Sequence, residues 1–272
     1  MLDSYAVIGN PISHSKSPFI HTAFSQQTHQ SMQYAAILAP LDGFQTTVSN
    51  FRQQGGKGLN VTVPFKLEAY QLSTRLTERA TIAQAVNTLK FENDEILGDN
   101  TDGTGLVRDI TLNLGIPLAT KRILLMGAGG AARGVILPLL QQKPSMLAIA
   151  NRTPDKAEAL QQQFVSCGNV VAGGFMSFPD ERFDIIINAT SASLHNALPE
   201  LSAHIFAADA LAYDMMYSHE PTRFLKFAQQ NGARHLADGI GMLVEQAAES
   251  FFLWRGIRPQ TKPVIALLKS QI

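Results

Sequence analysis

Cysteine is almost absent from this chain of 272 residues: Cys167 stands alone, which excludes an intramolecular disulfide and any cysteine-built zinc centre. The seven histidines show no ligand spacing, so no metal site is expected. Charge is scarce as well. Asp, Glu, Lys and Arg make up 16% of the residues, and acidic and basic side chains balance at 22 each, so no broad positive field draws in nucleic acid or a membrane surface. An anionic ligand must be held by local groups. Long hydrophobic runs are missing too: Ile123-Leu124-Leu125-Met126 and its like break off far short of the roughly 20 residues of a membrane helix. The start, Met1-Leu2-Asp3-Ser4-Tyr5, has neither the basic region nor the apolar stretch of a secretion signal. The expectation is a soluble, cytoplasmic protein with a small-molecule substrate and no nucleic-acid or membrane partner.

What is present is apolar: 45% hydrophobic residues exclude a disordered chain, and the length suits two domains. Short apolar runs alternate with segments of helical period, the pattern of βα units and a largely parallel sheet, so the fold class is α/β. In the first third, 5–8, 32–38 and 59–63 read as strands; a helix begins at Pro18 with Ser17 as its N-cap, and another places Phe44, Val48 and Phe51 on one face. Segments 86–91 and 95–97 read as an antiparallel hairpin. The turn formers Asp99-Asn100-Thr101-Asp102-Gly103 mark a domain border before a helix over 104–114. A second series of strands follows at 122–126, 146–150, 184–188 and 211–214, and the segments 241–254 and 262–268 read as closing helices. The organisation expected is a first domain over 1–102, completed by helices in 240–272, and a second domain over 103–239.

Gly127-Ala128-Gly129-Gly130-Ala131-Ala132 follows a strand and opens a helix, giving G-x-G-x-x-A in the context of a dinucleotide fingerprint. Gly127 permits the tight turn, Gly129 lets a pyrophosphate approach the backbone, and Ala132 lets the helix lie against the sheet; the helix N-terminus then faces the phosphates. The alternative is a glycine-rich turn with no ligand. Where NAD-binding proteins place an acidic ribose ligand, 24 residues after the first glycine, this chain has Asn151-Arg152-Thr153. Arg152 offers a fork of donors and a permanent charge, and Lys156 a second charge, so NADP is favoured over NAD. Otherwise both merely solvate a helix start.

Lys66 follows the alternating segment Asn60-Val61-Thr62-Val63, in which Asn60 and Thr62 face one side and the two valines the other. That is the carboxyl end of a strand, where ligands of open α/β sheets sit. A lysine there can give or take the proton that accompanies hydride transfer at a carbonyl. Asp102, if beside it, would hold the ammonium form and accept from a substrate hydroxyl. Each residue alone is equally well a surface lysine and a turn aspartate.

These blocks, with Gly9-Asn10-Pro11-Ile12, Ser13-His14-Ser15-Lys16-Ser17-Pro18, Ala85-Val86-Asn87-Thr88, Asn188-Ala189-Thr190-Ser191, Asp214-Met215-Met216-Tyr217 and Gly239 to Gln246, resemble the shikimate dehydrogenase family nearly end to end. The resemblance implies a two-domain fold with a Rossmann-type NADP-binding domain, and reversible NADPH-dependent reduction of 3-dehydroshikimate to shikimate, a step toward chorismate and the aromatic amino acids. It implies Lys66 as acid/base with Asp102 its partner. Ser15, Ser17 and Tyr217 would take the substrate carboxylate, and Asn60, Thr62, Asn87 and Gln246 would read ring hydroxyls. On the cofactor side it implies Gly127, Ala128, Gly129, Gly130 and Ala131 for the pyrophosphate, then Asn151, Arg152, Thr153 and Lys156 for the ribose phosphate. Thr190, Met215 and Gly239 would border the nicotinamide, with Glu78 a further cofactor residue. A homodimer is left open.

Ser193 departs from the family's usual glycine, Gln84 from a small residue, and Arg223 from a proline. The rival readings are a quinate/shikimate relative using either cofactor, a non-catalytic NADPH-binding module, and acyl transfer from Ser13 in an S-x-x-K pattern. The last lacks its companion motifs.

Overall fold

The computed structural model describes residues 2–192 and 197–271; Ser193 lies outside them. The chain divides into two compact units, one of Met1–Gly105 with Leu243–Leu267, the other of Leu106–Met242 with Leu268–Ile272. These borders fall a few residues from the expected ones, and the last five residues join the second unit rather than the first.

The first unit runs β1 (Asp3–Gly9), α1 (Ser17–Gln27), β2 (Met32–Leu38), α2 (Phe44–Gln53), β3 (Gly56–Val61), α3 (Lys66–Leu72), β4 (Arg75–Leu76), α4 (Glu78–Ala83), β5 (Thr88–Glu92), β6 (Glu95–Asp99) and the start of α5 (Asp102–Arg108). Its sheet has the order β2-β1-β3-β5-β6-β4. β1 pairs in parallel with β2 and β3, while β3, β5 and β6 run antiparallel, so the expected hairpin forms. One core joins Ile8, Phe44, Val48, Leu59, Val61, Phe65, Val86 and Leu89.

Three details differ from the sequence expectation. α1 begins at Ser17 with Lys16 as its cap residue and no side-chain cap; the hydroxyl of Ser15 instead accepts the Ser17 N–H at 3.3 Å. β3 stops at Val61, because Pro64 has no N–H to continue a ladder, and Val63 is 66% exposed instead of sharing the buried side with Val61. The border turn is shorter than expected, since β6 reaches Asp99 and α5 starts at Asp102. α5 passes into a wider π turn over Asp109–Asn113. Of the family departures, Gln84 ends α4 at φ 50°.

The second unit contains β7 (Arg122–Met126), α6 (Gly130–Gln141), β8 (Met146–Ala150), α7 (Pro154–Phe164), β9 (Val170–Gly173), β10 (Phe183–Asn188), β11 (Phe206–Asp214), α8 (Arg223–Gln230) and β12 (His235–Ala237). α9 (Ile240–Arg255) and α10 (Lys262–Lys269) end the chain. The strand order β12-β11-β10-β7-β8-β9 is parallel throughout. This is the doubly wound order in which the direction of winding reverses between β7 and β10, and ligands bind beyond the strand ends at that reversal. The strands are continuous apolar runs because helices cover both faces; Leu124, Ala148, Ile186 and Ala212 are buried in one cluster. Arg223 opens α8 after Thr222, whose hydroxyl accepts the Leu225 N–H. Among the described residues no helix is long and apolar enough to cross a membrane, and no group of three or more His, Cys, Asp and Glu forms a metal site.

One core residue makes the first unit sensitive to acid. His21 is fully buried, stacked on Tyr34 at 4.2 Å, and burial drives its pKa down to about 3 against a small opposing effect of the Asn60 side chain. Unfolded, it takes a proton near pH 6.5; folded, only near pH 3. The unfolded chain therefore binds more protons between those values, and stability falls as pH drops through that window. We expect His21→Phe to reduce the loss in melting temperature between about pH 6.5 and about pH 4, measured by calorimetry. An unchanged acid loss would show that His21 is not its source.

Candidate active site

The first unit gathers its polar residues at one end of the sheet. Pro64 ends the strand, Phe65 is fully buried and stacks on Phe44 at 5.0 Å, and so Lys66 leaves a fixed point as the first residue of α3. A cation at a helix N-terminus is opposed by the helix dipole, and needs a counter-charge. Asp102 supplies it: Lys66 Nζ lies 2.5 Å from Asp102 Oδ2. The other oxygen, Oδ1, accepts from Asn87 Nδ2 at 2.7 Å. Asp102 is 6% exposed, and burying one carboxylate costs several kcal/mol unless charge and hydrogen bonds compensate; here both do. The structure thus joins Lys66 and Asp102, which stand 36 residues apart in the chain.

Asn87 is the hub of the same group. Besides Asp102 it donates to Thr101 and to Gln246 Oε1 at 3.3 Å, while its own carbonyl oxygen, Oδ1, accepts the Thr101 N–H and the Thr88 hydroxyl. Asn60 belongs to the same network: Oδ1 accepts from the Tyr34 hydroxyl at 2.7 Å, and Nδ2 donates to Thr88 and Ser250. Thr62 and Ser15 are half-buried, with Ser17 buried beside them in sequence. Tyr34, Thr88, Thr101 and Ser250 escaped the sequence reading. Thr88 and Thr101 stand within quoted family blocks without an assigned role, and Ser250 follows Gln246 at helical spacing.

In the second unit the glycine loop joins β7 to α6. Gly127 has φ 112°, and a Cβ there would press on Ala189 O at 3.1 Å, so glycine is required. At Gly129 and Gly130 a Cβ would meet nothing within 4 Å. The loop therefore leaves open space beside the first N–H groups of α6, which have no partner within the helix. This is room for a pyrophosphate. Ala132 is fully buried against the sheet. Arg152, Thr153 and Lys156 are exposed at the start of α7, and among the described residues neither cation makes an ion pair. Asn151 donates to Thr153 O at 2.9 Å, shaping that turn.

Thr190 and Met215 are held by Asn188. Its side-chain oxygen accepts from the N–H and hydroxyl of Thr190, and its backbone oxygen from Met215 N. Gly239 sits so close to Met215 that a Cβ would lie 2.1 Å from its carbonyl oxygen. Asp214, fully buried, accepts from Asn188, Met216 N and Thr222 and so ties the ends of β10 and β11. Tyr217 follows in the second unit, half-buried, with burial pushing its phenol pKa up. Glu78, read as a cofactor residue, is an exposed first-turn glutamate of α4 in the first unit. An acidic side chain there suits the helix dipole on its own account.

Comparison with known proteins adds the following. Residues 7–89 match the Shikimate dehydrogenase substrate binding domain, 111–207 match Shikimate / quinate 5-dehydrogenase, and 239–269 match the Shikimate 5'-dehydrogenase C-terminal domain. A Nitrosomonas eutropha protein named Shikimate dehydrogenase (NADP(+)) is 66% identical over 272 residues, covering 100% of this chain and 98% of its own. The structure of an Ael1 enzyme from Pseudomonas putida superposes with a TM-score of 0.93 at 51% identity, covering 98% of both chains. A Thermus thermophilus shikimate 5-dehydrogenase, solved with NADP(H) and shikimate, gives 0.88 at 30% identity over 100% of both.

The open space at Gly129 allows a clean test. Its φ of −82° suits any residue, so we expect Gly129→Ala to leave the melting temperature of the ligand-free protein within about 2 °C. Its NADP affinity, by titration calorimetry, should fall at least about tenfold, since a methyl group then occupies the phosphate's approach. Unaltered affinity would remove the loop from the cofactor site.

Proposed function

Since the chain belongs to the NADP-dependent shikimate dehydrogenase family, we propose that it interconverts 3-dehydroshikimate and shikimate with Lys66 as the acid/base and Asp102 as its partner. The observation that carries this reading is the 2.5 Å contact between the two charges. NADP, when bound, supplies or takes up the hydride at the ring carbon. In the reducing direction the Lys66 ammonium gives its proton to the carbonyl oxygen; in the oxidising direction the amine takes that proton back. Asp102 holds the Lys66 Nζ in place and accepts from a neighbouring substrate hydroxyl.

Thr62, Asn87 and Gln246 read the ring hydroxyls. Their amides and hydroxyls both donate and accept, so a substrate lacking a hydroxyl leaves buried groups unpaired and is disfavoured. Asn60 reads a ring hydroxyl beside them, its amide also bonded to Tyr34, Thr88 and Ser250. Ser15, Ser17 and Tyr217 take the carboxylate by hydroxyl donation, which needs no net positive field. Gly127 to Ala131 receive the pyrophosphate. Arg152 and Lys156, with Asn151 and Thr153, bind the 2′-phosphate; with no carboxylate at that turn, NADP is preferred to NAD. Thr190, Met215 and Gly239 border the nicotinamide. Glu78 is a further cofactor residue. The setting is that of a cytoplasmic biosynthetic step.

Purified protein with shikimate and NADP should develop the near-ultraviolet absorbance of reduced nicotinamide, with kcat/KM for NADP well above that for NAD. We expect Lys66→Ala to lower kcat by about 10²–10⁴-fold, the range of a lost acid/base group, with a small change in KM. Circular dichroism checks that the variant is folded. Turnover equal to the parent's would take Lys66 out of the chemistry.

A further inference from the structure

We infer that Arg79 is a positioning residue for this reaction, because its one guanidinium clamps the chain on both sides of Asp102 and also the helix that carries Gln246. The inference rests on the reading of Lys66 and Asp102 given above. Arg79 Nε donates to Asp99 Oδ1 at 2.7 Å and Nη2 to Asp99 Oδ2 at 2.5 Å, a bidentate fork. Nη1 donates to Thr104 Oγ1 at 2.7 Å and to Glu249 Oε1 at 3.1 Å. Asp99 and Thr104 bracket Asp102 in the chain. Glu249 lies three residues beyond Gln246, on the same side of α9.

The clamp is passed on to Asp102 through short links. Asp99, 1% exposed, also accepts the Asn100 N–H at 2.8 Å and the Thr77 hydroxyl at 2.6 Å. Asn100 Oδ1 in turn accepts the Asp102 N–H at 3.2 Å, and its amide donates to Ala85 O at 3.0 Å. Asp102 therefore sits on a segment whose ends are fixed by one rigid, planar cation. A carboxylate that must meet both Lys66 and a substrate hydroxyl needs such support, because displacement of a reacting group by about 1 Å costs on the order of 10²-fold in rate. Lysine cannot substitute. An ammonium is a point donor and does not span the two oxygens of Asp99, Thr104 and Glu249 at once.

The test uses three variants of the full-length protein, assayed well below their melting transitions. Arg79→Lys keeps the charge; we expect kcat for shikimate oxidation to fall about 10–100-fold, with shikimate KM raised and the NADP dissociation constant unchanged. Thr104→Val removes the acceptor on the far side of Asp102 while keeping its shape and leaving Asp99 paired; we expect a fall of about 3–10-fold in kcat. It decides the matter alone if Arg79→Lys does not fold. A purely structural role for Arg79 predicts lower melting temperatures with parental kcat and KM in both variants, and that result overturns the proposal. Lys66→Ala, run alongside, separates the two failures. Parental turnover in Lys66→Ala defeats the underlying reading, whereas an inactive Lys66→Ala beside fully active Arg79→Lys and Thr104→Val defeats the positioning role alone.

Discussion

A carboxylate removed from water is the constraint around which the first unit is arranged. Asp102 is held at one oxygen by the Lys66 ammonium and at the other by the Asn87 amide. An exposed pair of this kind contributes about 1 kcal/mol at most. A buried pair is different: removing one partner leaves a charge unsatisfied, at a cost of about 3–5 kcal/mol. The energy that holds Asp102 in place is thus the same energy that fixes the Lys66 nitrogen. Every further bond in the network, from Thr101 and Gln246 to Asn60 and Ser250, fixes the donors around these two groups.

On the proposed reading the second unit meets another demand, that of anion binding without a strong field. A balanced chain cannot gather a highly charged dinucleotide from afar, so the fold supplies local features. Gly127, at positive φ, turns the chain from β7 into α6; Gly129 and Gly130 keep the approach clear. At the start of α7 stand two cations that make no ion pair among the described residues. At the ends of β10 and β11, Asn188 and Asp214 use side-chain oxygens to shape the loops that carry Thr190 and Met215. Both clusters lie beyond the carboxyl ends of strands in a parallel sheet, where the reversal of winding opens a crevice.

Much of this could be read from residue order, and what could not has a physical cause. The strand, glycine turn and helix at 122–141 were legible because periodicity and turn chemistry are local. Lys66 and Asp102 were legible as candidates, but their meeting depends on the pairing of β3, β5 and β6, which no local signal states. The details that differ have separate causes. Val63 was placed by alternation, yet the strand had already ended before Pro64. Ser17 was read as a cap, yet Ser15 meets its N–H. The partners of the Asn60 amide, Tyr34, Thr88 and Ser250, are distant in the chain and carried no local signal. The role of Arg79 was invisible for the same reason, since the groups it joins come from β6, α5 and α9.

On the proposed mechanism Asp102 acts on the proton transfer through Lys66, and a double-mutant cycle on kcat measures that coupling. With Lys66→Met, Asp102→Asn and the double variant, the account predicts strong non-additivity: the double variant should turn over within a few-fold of Lys66→Met alone. Losses that multiply, as for two independent residues, would contradict it.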